Sequence, residues 1–408
     1  MKATYLRLQL LPVLLCVIFP VSGYGENLAL TDVNVFNGSD KRIISDATIF
    51  VSGGRIERIA PAGAPIPDNY LRIDCEDNFL MPGLIDVHTH LDSLERARRA
   101  LESGVTTVRT AGVPAFQDVT LRELVRAGKI PGPDVVAAGV YVTPNLDETL
   151  LADPRLVALS EGVRTDEALR LLVNVNIDRG VDVIKTRGTE RAGRPDTDPR
   201  QQVYTEHQLR VVVEEAAKRN VPVMVHAHGD EGARAAVRAG ARSIEHGTYL
   251  QAETLRLMAQ NGTWLVPTYV TMDEMNEPKY DYVLRLRGRH MVPQLESVFR
   301  AAHKAGVKIA TGADNYYESE SINRISVEVE HFVRMGMSNF EALQAATVVS
   351  AELLMLQERT GRIAEGYEAD MILVPANPLI DIAALQDVLL VISNGQVALK
   401  RLPFAITE

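Results

Sequence analysis

The chain has 408 residues, of which 46% are hydrophobic and 24% charged, with a formal net charge of -10. That length can hold one barrel-sized domain and a smaller one. The acidic balance excludes nucleic acid as a partner, because no basic surplus exists to replace phosphate counterions. It leaves a small-molecule or short-peptide substrate open, and a monomer or homo-oligomer alike.

Residues 1–25 read as a signal peptide. Lys2 and Arg7 precede the apolar run 8–21, and Ser22-Gly23 opens a cleavage zone that ends near Gly25. The run is short for a membrane span and holds two prolines. A periplasmic or secreted protein is expected, with an uncleaved anchor as the alternative. Cys16 follows the bulky Leu15, which argues against lipid attachment there. Once the leader is removed, Cys75 is the only cysteine, so an intramolecular disulfide is excluded. A bound metal would then rest on histidine, carboxylate or modified lysine.

Residues 26–81 read as short strands joined by turns, among them the hairpin signal Ser52-Gly53-Gly54. The stretch 358–408 has the same texture, with strands at 369–374, 388–393 and 396–400 and the turn Asn394-Gly395. Neither end can build a core alone. The two are expected to form one small β-sandwich domain, into which 82–357 is inserted.

The middle alternates apolar runs with amphipathic helices. Eight candidate strands fall at 84–88, 106–109, 135–138, 181–185, 222–226, 243–246, 264–268 and 308–311, with helices at 94–101, 121–127, 207–218 and 232–239. Eight such units predict an α/β fold of the (β/α)8 TIM-barrel type. An open doubly wound sheet is the alternative, but no glycine-rich dinucleotide fingerprint follows the first strand.

Chemistry in such a barrel sits at the C-terminal ends of the strands. Those ends carry His88 and His90, Lys185, His226 with His228, His246 and, just past the eighth, Asp314. Alternate strand residues share a face, so His88 and His90 point the same way and suit one metal ion. Lys185 ends an apolar strand. Burial there would lower its pKa, and a neutral amine can react with carbon dioxide. Taken alone, Lys185 could equally be ion-paired with Asp182, His228 could be a satisfied loop histidine, and Asp314 could cap a helix. Glu245 is expected on the opposite face from His246, in a structural role.

The segments MPGLIDVHTH (81–90), GVTTVR (104–109), VDVIKTRG (181–188), VMVHAHGDEGARAAVRAG (223–240), SIEHGTYL (243–250), KIATGAD (308–314) and GRIAEGYEADMILV (361–374) stand in that order. Together they resemble the amidohydrolase superfamily, most closely its metal-dependent Xaa-Pro dipeptidase and carboxypeptidase branch near imidazolonepropionase. The resemblance implies two divalent ions held by His88, His90, Lys185, His226, His246 and Asp314. Lys185 would be carboxylated and bridging, and zinc is the default ion for this donor set. It further implies that a hydroxide shared by the ions attacks an amide carbonyl. Asp314 would be the catalytic base and then acid, and His228 would polarise that carbonyl. Dipeptides or N-acyl amino acids are the expected substrates. Cyclic amides, lactones or other esters are the alternative, as is a catalytically dead periplasmic ligand-binding relative.

The likeness thins around the pocket mouth. A glycine-glycine-histidine segment common among the dipeptidase-like relatives is missing from 139–149, and Thr110 stands where relatives often carry aspartate. Arg187, two residues past Lys185, is nominated to clamp a substrate carboxylate. Tyr249 and Tyr269 follow the sixth and seventh strands and line the pocket or pack at its rim. Trp264, the only tryptophan, is assigned to the core.

Overall fold

Strands from the two chain ends pair with one another before either meets the middle. The computed structural model describes residues 27–319 and 323–401; the expected signal peptide lies outside them. The first strands are β1 (Asn27–Phe36), β2 (Ile43–Ser52), β3 (Arg55–Pro61), β4 (Tyr70–Asp74) and β5 (Phe79–Pro82). Next come β6 (Leu84–Thr89), β7 (Val105–Thr110) and β8 (Asp134–Val136). They are followed by β9 (Ile184–Arg187), β10 (Val223–Ala227), β11 (Ser243–His246) and β12 (Trp264–Val266). The last are β13 (Met371–Val374), β14 (Leu390–Ser393) and β15 (Gln396–Lys400).

One eight-stranded sheet runs β15-β14-β13-β5-β1-β2-β3, with β4 beside β1. Its two tight hairpins are as expected. Ser52 pairs with Arg55 across Gly53 (φ 57°) and Gly54 (φ 79°), and Ser393 pairs with Gln396 across Asn394 (φ 52°) and Gly395 (φ 74°). Two successive positive φ angles match the right-handed strand twist, which is why Gly and Asn stand there. Leu28, Leu30, Val35, Ile49, Met371 and Ile392 are buried on one apolar cluster of this sheet.

The middle supplies two parallel sheets, β6-β7-β8 and β9-β10-β11-β12. Backbone bonds cross both gaps between them. On one side Asp182 N and Val183 N donate to Ala137 O (2.8 and 3.2 Å), and Val142 N donates to Lys185 O (2.9 Å). On the other, residues 308–311 lie between β12 and β6. Leu265 N donates to Lys308 O, Ala310 N to Leu265 O, and Val87 N to Thr311 O. The eighth expected strand is therefore an extended segment held by single pairs, without the consecutive ladder of a strand. The seventh is shorter than expected, because Pro267 offers no N–H and Thr268 turns left-handed at φ 49°.

Helices α1 (Leu94–Glu102), α2 (Gln117–Arg126), α3 (Asp166–Asp178), α4 (Glu206–Ala217), α5 (Asp230–Ala239) and α6 (Ala252–Asn261) alternate with these strands. The start of α4 is fixed by a capping box, with Thr205 and Gln208 satisfying each other's free backbone N–H. The result is a TIM-barrel-like α/β arrangement. Among the described residues, no helix is long and apolar enough to cross a membrane.

Candidate metal centre

Asp86 locks the first strand to the segment that carries Asp314. Its buried Oδ1 accepts from His88 N (3.0 Å) and Ala313 N (3.1 Å), and Oδ2 accepts from the Tyr317 hydroxyl (2.8 Å). Burial pushes this carboxyl up to about 6. Asp314 N then donates to His88 O (2.7 Å), with Asp314 itself at φ 46°. Gly312 permits the approach: a Cβ there would lie 2.7 Å from Val266 Cγ1 and 2.8 Å from His88 Cβ.

The six expected ligands and His228 converge around one cavity of about 820 Å³ at the C-terminal ends of the parallel strands. Asp314 Oδ1 lies 3.3 Å from His88 Nε2 and 3.1 Å from His90 Nε2, and Oδ2 lies 4.0 Å from His246 Nδ1. Lys185 Nζ is 3.4 Å from His88 Nε2. The His226 and His246 ring centres are 4.5 Å apart, and His228 stacks on His246 at 4.6 Å.

Burial sets the protonation states. It lowers His226 and His246 well below the usual imidazole range and His228 to about 3, so all three are neutral and open to coordination. Burial also brings Lys185 down to about 8. Burial opposes the Asp314 anion, but His88, His90 and His246 outweigh it and hold the carboxyl well below its ordinary range.

Donor atoms of His226, His228 and His246 lie within 4.8 Å of one another, as do those of His88, His246 and Asp314. His228 Nε2 is buried without a hydrogen-bond partner, while its Nδ1 meets the Thr248 hydroxyl at 2.9 Å. Imidazole and carboxylate donors at this spacing fit divalent cations of the zinc type. His90 Nδ1 is tied to Gly112 O (2.9 Å) and His226 Nε2 to Glu190 O (3.0 Å), which fixes both rings.

Glu245 departs from its expected place. Its Oε2 lies 2.7 Å from His88 Nδ1, and its Oε1 accepts from Arg109 Nη2 (3.0 Å) and from the Ser243 hydroxyl. The reason is local. His246 leaves the strand at φ 73°, so strict alternation ends and adjacent side chains both face the centre. Arg109, also buried, carries the countercharge and donates from Nε to Val87 O (2.6 Å). Despite its burial, Arg109 followed by His88 draws Glu245 down to about 2. The signal for both residues was a charged side chain inside a segment read as a core strand.

Of the three nominated substrate contacts, His228 lines the cavity and Arg187 and Tyr249 do not. Arg187 pairs with Glu190 (3.1 Å) in the loop that follows it and with the Thr143 hydroxyl in the segment after β8. Tyr249 follows the left-handed Gly247 (φ 66°), and its ring lies 6.1 Å from that of His290. Tyr269 bonds Glu296 (2.9 Å), and buried Trp264 stacks under Arg242 and Lys308. The cavity is lined instead by Tyr141, Arg191, Lys279, Tyr280 and Tyr316, none of them nominated from sequence. The Tyr141 hydroxyl is buried without a partner, and burial raises it to about 12.

Parallel strands whose C-terminal ends gather histidines, a lysine and an aspartate in one cavity define a TIM-barrel-like α/β enzyme. The chain belongs to the amidohydrolase family, whose model matches residues 79–398. It is 29% identical to ochratoxinase of Aspergillus niger over 394 residues, covering 85% of this chain and 79% of that protein. Its fold matches a Xaa-Pro dipeptidase with methionine bound in the active site, at TM-score 0.81 and 28% identity, over 91% of this chain and 99% of that one. It also matches a prolidase complexed with N-methylphosphonate-L-proline, at TM-score 0.80 and 27% identity, over 92% and 100% of the two chains. These relatives are hydrolases acting on carbon–nitrogen bonds, and the chain is an enzyme of that kind.

Proposed function

We propose that this amidohydrolase is metal-dependent and cleaves the amide bond of dipeptides or N-acyl amino acids. The observation that carries the reading is the convergence of His88, His90, Lys185, His226, His246 and Asp314 on one cavity. These six would hold two divalent ions, zinc by preference, with Lys185 carboxylated. Its low pKa favours the neutral amine that such carboxylation needs. When bound, the ions would polarise the scissile carbonyl and acidify water.

The chain's own groups account for the proton transfers. Asp314, held as an anion, takes a proton from the attacking water and returns it to the leaving nitrogen. His228 Nε2, buried without a hydrogen-bond partner, would be free to meet the carbonyl. Glu245 orients His88 through Nδ1, as carboxylates commonly do for ligating histidines. The backbone bonds at both seams support a closed (β/α)8 barrel, and the mixed sheet of chain ends supports a separate small β-domain over 26–81 and 358–408. The leader pattern supports a periplasmic or secreted location, tested by sequencing the N-terminus of the exported protein.

The decisive experiment is metal analysis coupled to a library of dipeptides, N-acyl amino acids and lactones. Stoichiometric metal with amide turnover is expected, and a response to lactones alone would overturn the substrate class. Asp314→Asn should abolish turnover while retaining most of the metal. Full turnover in that variant would remove Asp314 from its role.

A further inference from the structure

A second cavity, of about 400 Å³, opens among the N-terminal ends of β8 to β11, at the far end of the strands from the candidate metal centre. Its volume lies in the range of small-molecule sites. Val136, Val183, Val223, Leu353 and Leu354 contribute apolar wall. Four guanidiniums, those of Arg109, Arg126, Arg242 and Arg359, share the remainder with Asp134, Asp182 and Asn220. Arg109 is spoken for by Glu245. Arg242 is not: its Nε donates to Leu353 O (2.7 Å) and its Nη2 to Glu352 O (2.8 Å), and its guanidinium lies 4.6 Å from the Trp264 ring centre.

Among the described residues, no carboxylate pairs with Arg242. Two carbonyls and an aromatic face hold this cation rigidly, and burial followed by the charge of Arg109 works against it. The acids on the same wall are already engaged. Asp182 pairs with Arg122, and Asp134 with Asn394 (3.1 Å) and Arg359 (3.8 Å). Arg359 is itself held by Glu368 (2.7 Å), and Arg126 reaches Glu123 only at 3.9 Å. A pre-oriented guanidinium with no carboxylate bonded to it, its acid neighbour Glu352 being held by Lys308, and set in an apolar recess, is complementary to a carboxylate on a compact apolar body.

We propose that this cavity binds a small organic monocarboxylate, its carboxylate against Arg242 and its apolar part among Val183, Val223, Leu353 and Leu354. The inference is independent of the catalytic reading. The test is calorimetric titration of the full chain with benzoate, using benzyl alcohol as the neutral counterpart. Saturable benzoate binding is expected, about tenfold or more tighter than benzyl alcohol, since a charge-assisted pair is at stake.

Arg242→Met should weaken benzoate about tenfold. Because that variant also loses two backbone contacts, Asn220→Asp provides a gentler check. Asn220 is an exposed cavity residue at φ 56°, a conformation aspartate tolerates, and the added negative charge should weaken benzoate severalfold. His228→Ala should leave this binding in place. Absence of saturable binding, equal affinity for benzyl alcohol, or binding that responds to His228→Ala but to neither Arg242→Met nor Asn220→Asp would overturn the proposal.

Discussion

Glu245→Gln separates two jobs that one carboxylate performs. The substitution preserves shape but removes the charge between Arg109 and His88, at a position fully shielded from water. Arg109 would become a buried cation without its partner, and breaking such a pair costs about 3–5 kcal/mol. His88 would lose the acceptor that fixes its ring, and losing an outer-shell partner of this kind costs about 10–100-fold in metal affinity. Urea unfolding of the metal-free protein reads the first effect, and zinc competition against a chromogenic chelator reads the second. The double variant Arg109→Met/Glu245→Gln discriminates between them. It should recover much of the stability, because neither charge remains, yet keep the weakened zinc affinity. Zinc affinity within twofold of the parent in Glu245→Gln would refute the claim that this carboxylate positions a ligand.

Three other perturbations test separate parts of the structure. Lys185→Ala should lose metal and be partly restored by a short carboxylic acid; unchanged metal occupancy with no rescue would count against a bridging carbamate. Gly312→Ala should cost about 1–3 kcal/mol by overpacking against His88 and Val266, read as a lowered urea midpoint together with weaker zinc binding. Glu328 accepts from Tyr269 N (3.0 Å) and Val270 N (2.9 Å), and burial raises it from its ordinary 4.5 to about 8. Between those two pH values the folded state holds a proton that the unfolded state has released. Its contribution to stability is therefore full below about 4.5 and is lost as pH rises through about 8. Thermal melts from pH 5 to 9 should show the parent losing stability relative to Glu328→Gln across that window, and parallel curves would contradict it.

The residues that meet at the cavity were legible because histidine is scarce in this chain and its strand-end occurrences follow apolar runs. His88, His226 and His246 are placed by the same simple rule, that chemistry sits where parallel strands end. Glu245 escaped that rule because it assumes unbroken alternation, and one left-handed residue at 246 cancels the assumption. Arg187 stands outside the cavity lining for a different reason. Sequence spacing placed it near Lys185 but could not reveal that Glu190, three residues further on, would take its charge. Tyr141 gave no signal at all, since a loop side chain enters a cavity through tertiary packing and not through local pattern. The segment 308–311 reads as a strand by composition. Whether it forms a ladder depends on neighbours drawn from β12 and β6, which lie far from it along the chain.

The order β13-β5-β1 has a consequence for biogenesis. β5 needs an edge that is translated only after the whole of 83–370, so the N-terminal strands emerge with one flank unpaired and wait for β13. Closing so long a loop carries an entropic cost and delays the non-local pairing. A nascent chain stopped before Met371 should therefore remain protease-sensitive even where its middle has begun to compact. The finished molecule, in contrast, is clasped by its own two ends.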